Sequence, residues 1–190
     1  MTDRPKLLGI SGSLRARSNS TAVLEALKAA LLPIADLTVM RLNDVPLYNE
    51  DEDGAAPPEG AAALRAAIAA ADGVIFASPE YNYGPSGVMK NAIDWGSRPY
   101  GRGALIGKPV LVLTSSSGSA GGVRAQAQLR ESLSAAGARV ITYPHLAIPN
   151  VGDKIKDGVF ADDTTRKFLE GGVNALVKEI RLLAAHAKAG

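Results

Sequence analysis

The sequence predicts a doubly wound α/β fold, in which a five-stranded parallel sheet of order 2-1-3-4-5 lies between two helix layers. Three observations lead there. Short runs rich in Val, Ile and Leu alternate with longer segments of helical spacing. The third and fourth runs are almost wholly apolar, as strands buried on both faces are. Loops of unusual composition follow the first, third and fourth runs, whose ends are neighbours in that strand order.

In chain order, the first strand is expected at Lys6–Ile10. Ser18 is an N-cap for a helix over Asn19–Leu32, and the second strand covers Leu37–Leu42. Pro58 suits the start of a helix at Glu59–Ala71. The third strand, Val74–Ser78, leads to a helix at Val88–Trp95, and the fourth strand is Val110–Thr114. A helix over Gly122–Ala136 is closed by Gly137 in a left-handed cap, followed by a fifth strand at Arg139–Tyr143. Asp162 or Asp163 begins a last helix running to Lys188.

With 190 residues, 46% of them hydrophobic and 21% charged, the chain suits one domain over residues 1–190. A net charge of +2 with dispersed Lys and Arg gives no basic stripe, so nucleic acid is not an expected partner. The longest apolar region, around Ala61–Ala71, contains Arg65 and is too short to cross a bilayer; with no leader visible, the expected location is cytoplasmic. The absence of cysteine excludes disulfides, thiolate nucleophiles and cysteine-held metal centres, so redox chemistry would need a bound cofactor. His145 and His186 have no metal-ligand spacing and read as surface or hydrogen-bonded side chains; no metal site is expected.

The first loop offers Ser11, Ser13, Ser18, Asn19, Ser20 and the guanidinium of Arg15 at the start of a helix, where free N–H groups and the helix dipole favour an anion. It matches neither G-x-G-x-x-G nor the triphosphate loop, and so suits a terminal monophosphate. The simpler alternative is a capping turn with surface arginines, which is the reading for Arg17. The second loop carries Pro79, Glu80, Tyr81, Asn82 and Tyr83, with backbone freed by Gly84 and Gly87; two rings on a rigid loop suit a flat ligand, unless the tyrosines merely pack on the core. The third loop, including Ser115, Ser116, Ser117 and Gly118, would aim successive N–H groups at a ligand rather than act as a linker. A singly phosphorylated planar ligand follows, and FMN is the expected one. Trp95 reads as a core anchor rather than a stacking partner, and Glu50–Asp53 as a solvated or interface loop rather than a metal site.

Gly12-Ser13-Leu14-Arg15 with Ser18, Pro79–Tyr83 with Gly87, Lys90–Trp95, Pro46–Asp51 and the Ser115–Gln126 segment together resemble the NAD(P)H-dependent FMN reductase family, in its chromate and quinone reductase branch. The likeness runs from Lys6 to about Leu183. It implies a flavodoxin-like fold, FMN phosphate at Ser13, Arg15, Ser18 and either Asn19 or Ser20, and ring contacts from Pro79–Tyr83 and Ser115–Gly118. Relatives commonly read Ser-x-Asn where this chain has Ser18-Asn19-Ser20. The resemblance further implies NADPH or NADH as co-substrate, a small-molecule electron acceptor (quinone, azo compound, flavin or chromate), and a homodimer or homotetramer. No side chain is expected as catalytic acid or base, since the flavin performs the chemistry. A flavodoxin-type electron carrier is the alternative, disfavoured by a pI near 8.9; a phosphoryl-accepting receiver module lacks the acidic residues it would need where Ser11 and Ser13 stand.

Overall fold

The computed structural model describes residues 4–187, so Lys188, the expected end of the last helix, lies outside the described residues. Three parallel strands form the centre: β1 (Lys6–Ser11), β3 (Gly73–Tyr81) and β5 (Pro109–Ser115), with β2 (Asp36–Arg41) outside β1. Between them run α1 (Asn19–Leu31), α2 (Glu59–Ala70), α3 (Gly87–Gly96) and α4 (Val123–Ala135), and α5 (Asp163–Ala187) follows. Side chains alternate across each central strand, as the period of two requires. Leu7, Ile75, Ala77, Leu111 and Leu113 face α1 and α5. Leu8, Ile10, Val74, Phe76, Val110 and Val112 face α2, α3 and α4. Both faces are therefore apolar, which makes these strands read as continuous hydrophobic runs.

The expected order holds along β2-β1-β3-β5-β6, but the sheet has seven strands rather than five. Two differences account for this. The predicted strand over Arg139–Tyr143 is broken: β6 is only Arg139–Val140, and β7 (Leu146–Ile148) resumes pairing with β5 farther along. Five residues, 141–145, stand opposite the two residues Leu111 and Val112, and Pro144 among them has no N–H to donate. Arg130 of α4 takes up the freed carbonyls, donating to Ile141 O at 3.2 Å and Tyr143 O at 3.3 Å. The other addition is β4 (Gly84–Pro85), an antiparallel return onto the end of β3. A small hairpin, β8 (Ile155–Lys156) and β9 (Val159–Phe160), precedes α5.

The expected helix signals act as such. Ser18 Oγ accepts from Thr21 N at 3.1 Å, capping α1. Asp162 accepts from Thr165 N at 2.8 Å, and the hydrogen bonds from Thr165 hold its carboxyl below the ordinary value. Gly137, at φ 77°, closes α4 in the left-handed region. Trp95 is fully buried, edge-on to Tyr48 at 4.9 Å, and donates from Nε1 to Pro46 O at 2.9 Å, so it anchors the core as expected. No helix among the described residues is long and apolar enough to cross a membrane.

The acidic segment is solvated as expected except at its last residue. Glu50–Glu52 form a short 3-10 turn, and the Asp53 side chain is 5% exposed between two arginines. Arg65 of α2 bonds its Oδ1, and Arg98 Nε donates to Oδ2 at 3.0 Å while reaching Glu50 with Nη2 at 2.7 Å. Glu50, Asp51 and Glu52 are all exposed and keep the solvated character of the expectation; Asp53 alone departs from it.

Candidate functional site

The three unusual loops meet at the carboxyl edge of the sheet. Gly12 N donates to Ala77 O at 2.8 Å, joining the first loop to β3. Ser86, which caps α3, donates to Gly12 O at 2.6 Å, and its N–H reaches Ser78 Oγ at 3.2 Å. One buried serine, through its hydroxyl and its N–H, thus ties the first loop to both ends of the second. Sequence reasoning missed Ser86, although Ser-Gly ahead of a helical segment carries an N-cap signal.

Ser13, Arg15, Asn19, Ser20, Pro79, Glu80, Tyr81, Ser115, Ser116 and Ser117, all expected site residues, line one cleft there with Val151. Val151 was not expected: the segment after β7 reaches the cleft because Val151 N donates to Ser116 O and Ser116 N to Ile148 O. The cleft encloses about 70 Å³. A larger groove of about 720 Å³, between α1 and the β8–β9 hairpin, shares Arg15 and Asn19 with this cleft and adds Arg17, Ser18 and Thr21, with alanines and the carboxylates of Glu25 and Asp157 along the rest of its wall. The dense donor set is in the smaller cleft.

Within the first loop, two expected residues spend their side chains internally. Ser11 Oγ lies 2.8 Å from Thr21 Oγ1 and Ser18 Oγ caps the helix, and Ser11 does not line the cleft. Asn19 and Ser20 both line it, and the Ser20 hydroxyl is buried with no hydrogen-bond partner. A buried hydroxyl left unpaired costs about 1–3 kcal/mol, so a ligand acceptor there is the natural complement. α1 has no acidic residue in its first turn, and Arg15 makes no ion pair among the described residues. Arg41 and Asn43 brace this loop from β2 and beyond: Arg41 Nη2 donates to Leu14 O at 3.2 Å and Arg15 O at 2.7 Å, and Asn43 Nδ2 to Leu14 O at 3.3 Å. An anion-binding cradle of hydroxyls, amide, guanidinium and helix N–H groups fits a phosphate well. Arg17 is exposed, as expected.

The second loop is a tight hairpin, with Tyr81 paired to Gly84 across Asn82 and Tyr83. Its left-handed residues are Asn82 (φ 50°) and Tyr83 (φ 67°), as a type I′ turn requires; the expectation that Gly84 and Gly87 free the backbone is therefore corrected. Tyr81 and Tyr83 are 52% and 63% exposed, so they are not core residues. Asn82 and Tyr83 stand beyond the cleft lining. The Glu80 carboxylate faces away to α4, accepting from Arg124 N and Ala125 N, both at 3.0 Å. It supplies the cap that Gly122 cannot. α4 also holds the turn through Gln128 Nε2, which donates to Tyr83 O at 2.8 Å, and through the Arg124 guanidinium, 4.1 Å from the Tyr83 ring centre.

The third loop is not the open row of donors that was expected. Ser116 N is bonded to Ile148 O and Gly118 N to Ser116 Oγ at 3.1 Å, and Gly118 does not line the cleft. Gly122 turns the chain into α4 at φ 90°, where an added Cβ would stand 2.9 Å from Thr114 Cβ. Gly122→Ala is therefore expected to lower unfolding free energy by about 1–3 kcal/mol in urea titrations.

Residues 5–153 match the family model described as NADPH-dependent FMN reductase. The chain is 37% identical over 184 residues to an NAD(P)H-dependent FMN reductase of Pseudomonas aeruginosa, covering 96% of this chain and 99% of that one. A quinone reductase of Pseudomonas putida is 36% identical over 173 residues, 91% of this chain and 93% of its own. Among solved structures, the flavoenzyme NAD(P)H:(acceptor) oxidoreductase FerB of Paracoccus denitrificans superposes with a TM-score of 0.80 at 34% identity, covering 93% of this chain and 97% of FerB. The expectation of a flavodoxin-like fold holds as well, as the likeness to a WrbA-like flavodoxin of Agrobacterium tumefaciens, TM-score 0.60, bears out. On this coverage and identity, the chain belongs to the NADPH-dependent FMN reductase family.

Proposed function

We propose that this protein is an FMN-dependent reductase that takes electrons from NADH or NADPH and passes them to small-molecule acceptors, quinones first and also azo compounds, free flavins or oxyanions such as chromate. The observation that carries the reading is the partnerless buried hydroxyl of Ser20, in a cleft lined by loops from three neighbouring strands. When bound, FMN supplies the hydride acceptor and electron store that a chain without cysteine lacks.

The chain's own part is to bind, orient and exclude. Arg15, Asn19, Ser20 and the first N–H groups of α1 would hold the phosphate, with Ser13 beside them. Ser11 and Ser18 act one step back, fixing the turn that presents these donors. Pro79–Tyr81 and Ser115–Ser117 line the same cleft as these donors, and with Asn82 and Tyr83 at its edge they would hold the flavin ring. Backbone groups there would meet the ring's polar edge, and the braced hairpin keeps them in place. No side chain need move a proton as general acid or base. The open edge gives donor and acceptor one shared mouth, so they enter in turn. Assembly as a homodimer or homotetramer would cover exposed apolar side chains such as Tyr100 and Ile106.

The test is spectroscopic and kinetic. The purified protein is expected to carry a flavin spectrum that bleaches on anaerobic addition of NADH or NADPH, and double-reciprocal plots with both substrates varied should be parallel. Intersecting lines would contradict the shared mouth; a flavin spectrum that neither nicotinamide bleaches would leave an electron carrier.

A further inference from the structure

We propose that Arg124, stacked on Tyr83 beside the cleft, binds a phosphate of the nicotinamide dinucleotide and so sets how tightly the enzyme holds its electron donor. The inference rests on the functional reading above and adds a residue to it. Arg124 begins α4 beside the hairpin, and its backbone N–H is fixed on Glu80, a cleft residue. Its guanidinium carbon is 4.1 Å from the centre of the exposed Tyr83 ring. Stacking of this kind restrains the long side chain while leaving the edges of the planar fork free, and those edges carry the N–H groups that grip phosphate bidentately.

Other cations are committed or lie elsewhere, Arg17 with Arg15 at the start of α1. Arg98 is held by Asp53 and Glu50, and Lys90 by Asp94 at 2.6 Å. Arg41 and Arg130 donate to backbone carbonyls. Arg15 belongs to the phosphate end of the cleft, and Arg102 follows the C-terminal end of α3, which runs away from the site. Arg124 makes no ion pair among the described residues, so at the ring end of the cleft its fork is the one on offer to a dianionic or diphosphate group.

Wild type and Arg124→Met, both loaded with FMN, would be compared in initial rates with NADPH and NADH, and by calorimetry with 2′,5′-ADP and 5′-ADP. Methionine keeps the apolar stem, and the backbone N–H still caps onto Glu80. The expected result, at saturating FMN, is a KM rise of about tenfold, the scale of one charge-assisted pair, with kcat within about twofold, since Glu80 and Gln128 still tie the hairpin to α4. A rise confined to NADPH and 2′,5′-ADP assigns the 2′-phosphate; a rise with both donors and both probes assigns the diphosphate. Arg124→Lys should recover part of the loss, because it restores a cation at the same place. Unchanged KM and unchanged probe binding with FMN retained would overturn the assignment, as would a fall in kcat alone. A wild-type protein that fails to take up FMN would overturn the functional reading and this inference together.

Discussion

Asp53→Asn is expected to lower the unfolding free energy at pH 7 by about 2–3 kcal/mol, somewhat under the ~3–5 kcal/mol of a fully buried pair because Arg65 and Arg98 keep partial solvent access. The substitution leaves two guanidiniums facing a neutral amide. Burial alone would raise the Asp53 pKa; hydrogen bonds from Arg65 and Arg98, with their charges, outweigh it and hold the carboxyl below its ordinary value. The sign follows from linkage. With the folded pKa below the unfolded one, the stabilisation is fully present above about pH 4 and is lost as pH falls through the folded value. Urea titrations at a series of pH values should therefore show wild type and variant converging in acid. A constant gap across that range would contradict the ion-pair account. Function should suffer too, since Arg65 also donates to Trp95 O at 2.9 Å and Trp95 holds Pro46, on the loop that continues from the brace of the phosphate cradle.

Glu80→Ala is expected to cost about 1–2 kcal/mol of stability, the value of a helix cap reinforced by the dipole, and to weaken FMN binding about tenfold or more. Two N–H groups at the start of α4 lose their acceptor, and the hairpin loses one of its three ties to that helix. Glu80→Gln, which keeps an acceptor oxygen but not the charge, should fall between. Flavin fluorescence titration reads the affinity and thermal melts read the stability. An alanine variant that melts lower but binds FMN as wild type does would show that the clamp serves the helix alone.

Much of the fold was legible because burial on both faces leaves β3 and β5 nearly continuous apolar runs, and because Ser18, Gly137 and the residues before α5 announce helix ends locally. What was misread depends on partners distant in the chain. The break after Val140 turns on Arg130 reaching across to Ile141 and Tyr143, and the burial of Asp53 turns on Arg65 and Arg98. Neither pairing leaves a periodic trace. The same holds in the site. Clustering the hydroxyls and Arg15 in one loop marked the cradle, but composition could not separate Ser20, which faces the cleft, from Ser11, which is spent on Thr21. Glycine placement misled in the second loop, where Asn82 and Tyr83 take the left-handed conformation. Val151 was missed because its value lies in what the fold brings beside it, whereas Ser86 carried a local N-cap signal.

The central claim is that loops from β1, β3 and β5 close on one singly phosphorylated flavin. Equilibrium titration of the apoprotein with FMN, followed by flavin fluorescence and compared with riboflavin, tests it most directly. The account predicts saturation at one FMN per chain, with riboflavin bound far more weakly because the cradle of Arg15, Asn19 and Ser20 is left empty. Equal affinity for the two, or no binding of either to folded protein, would contradict it.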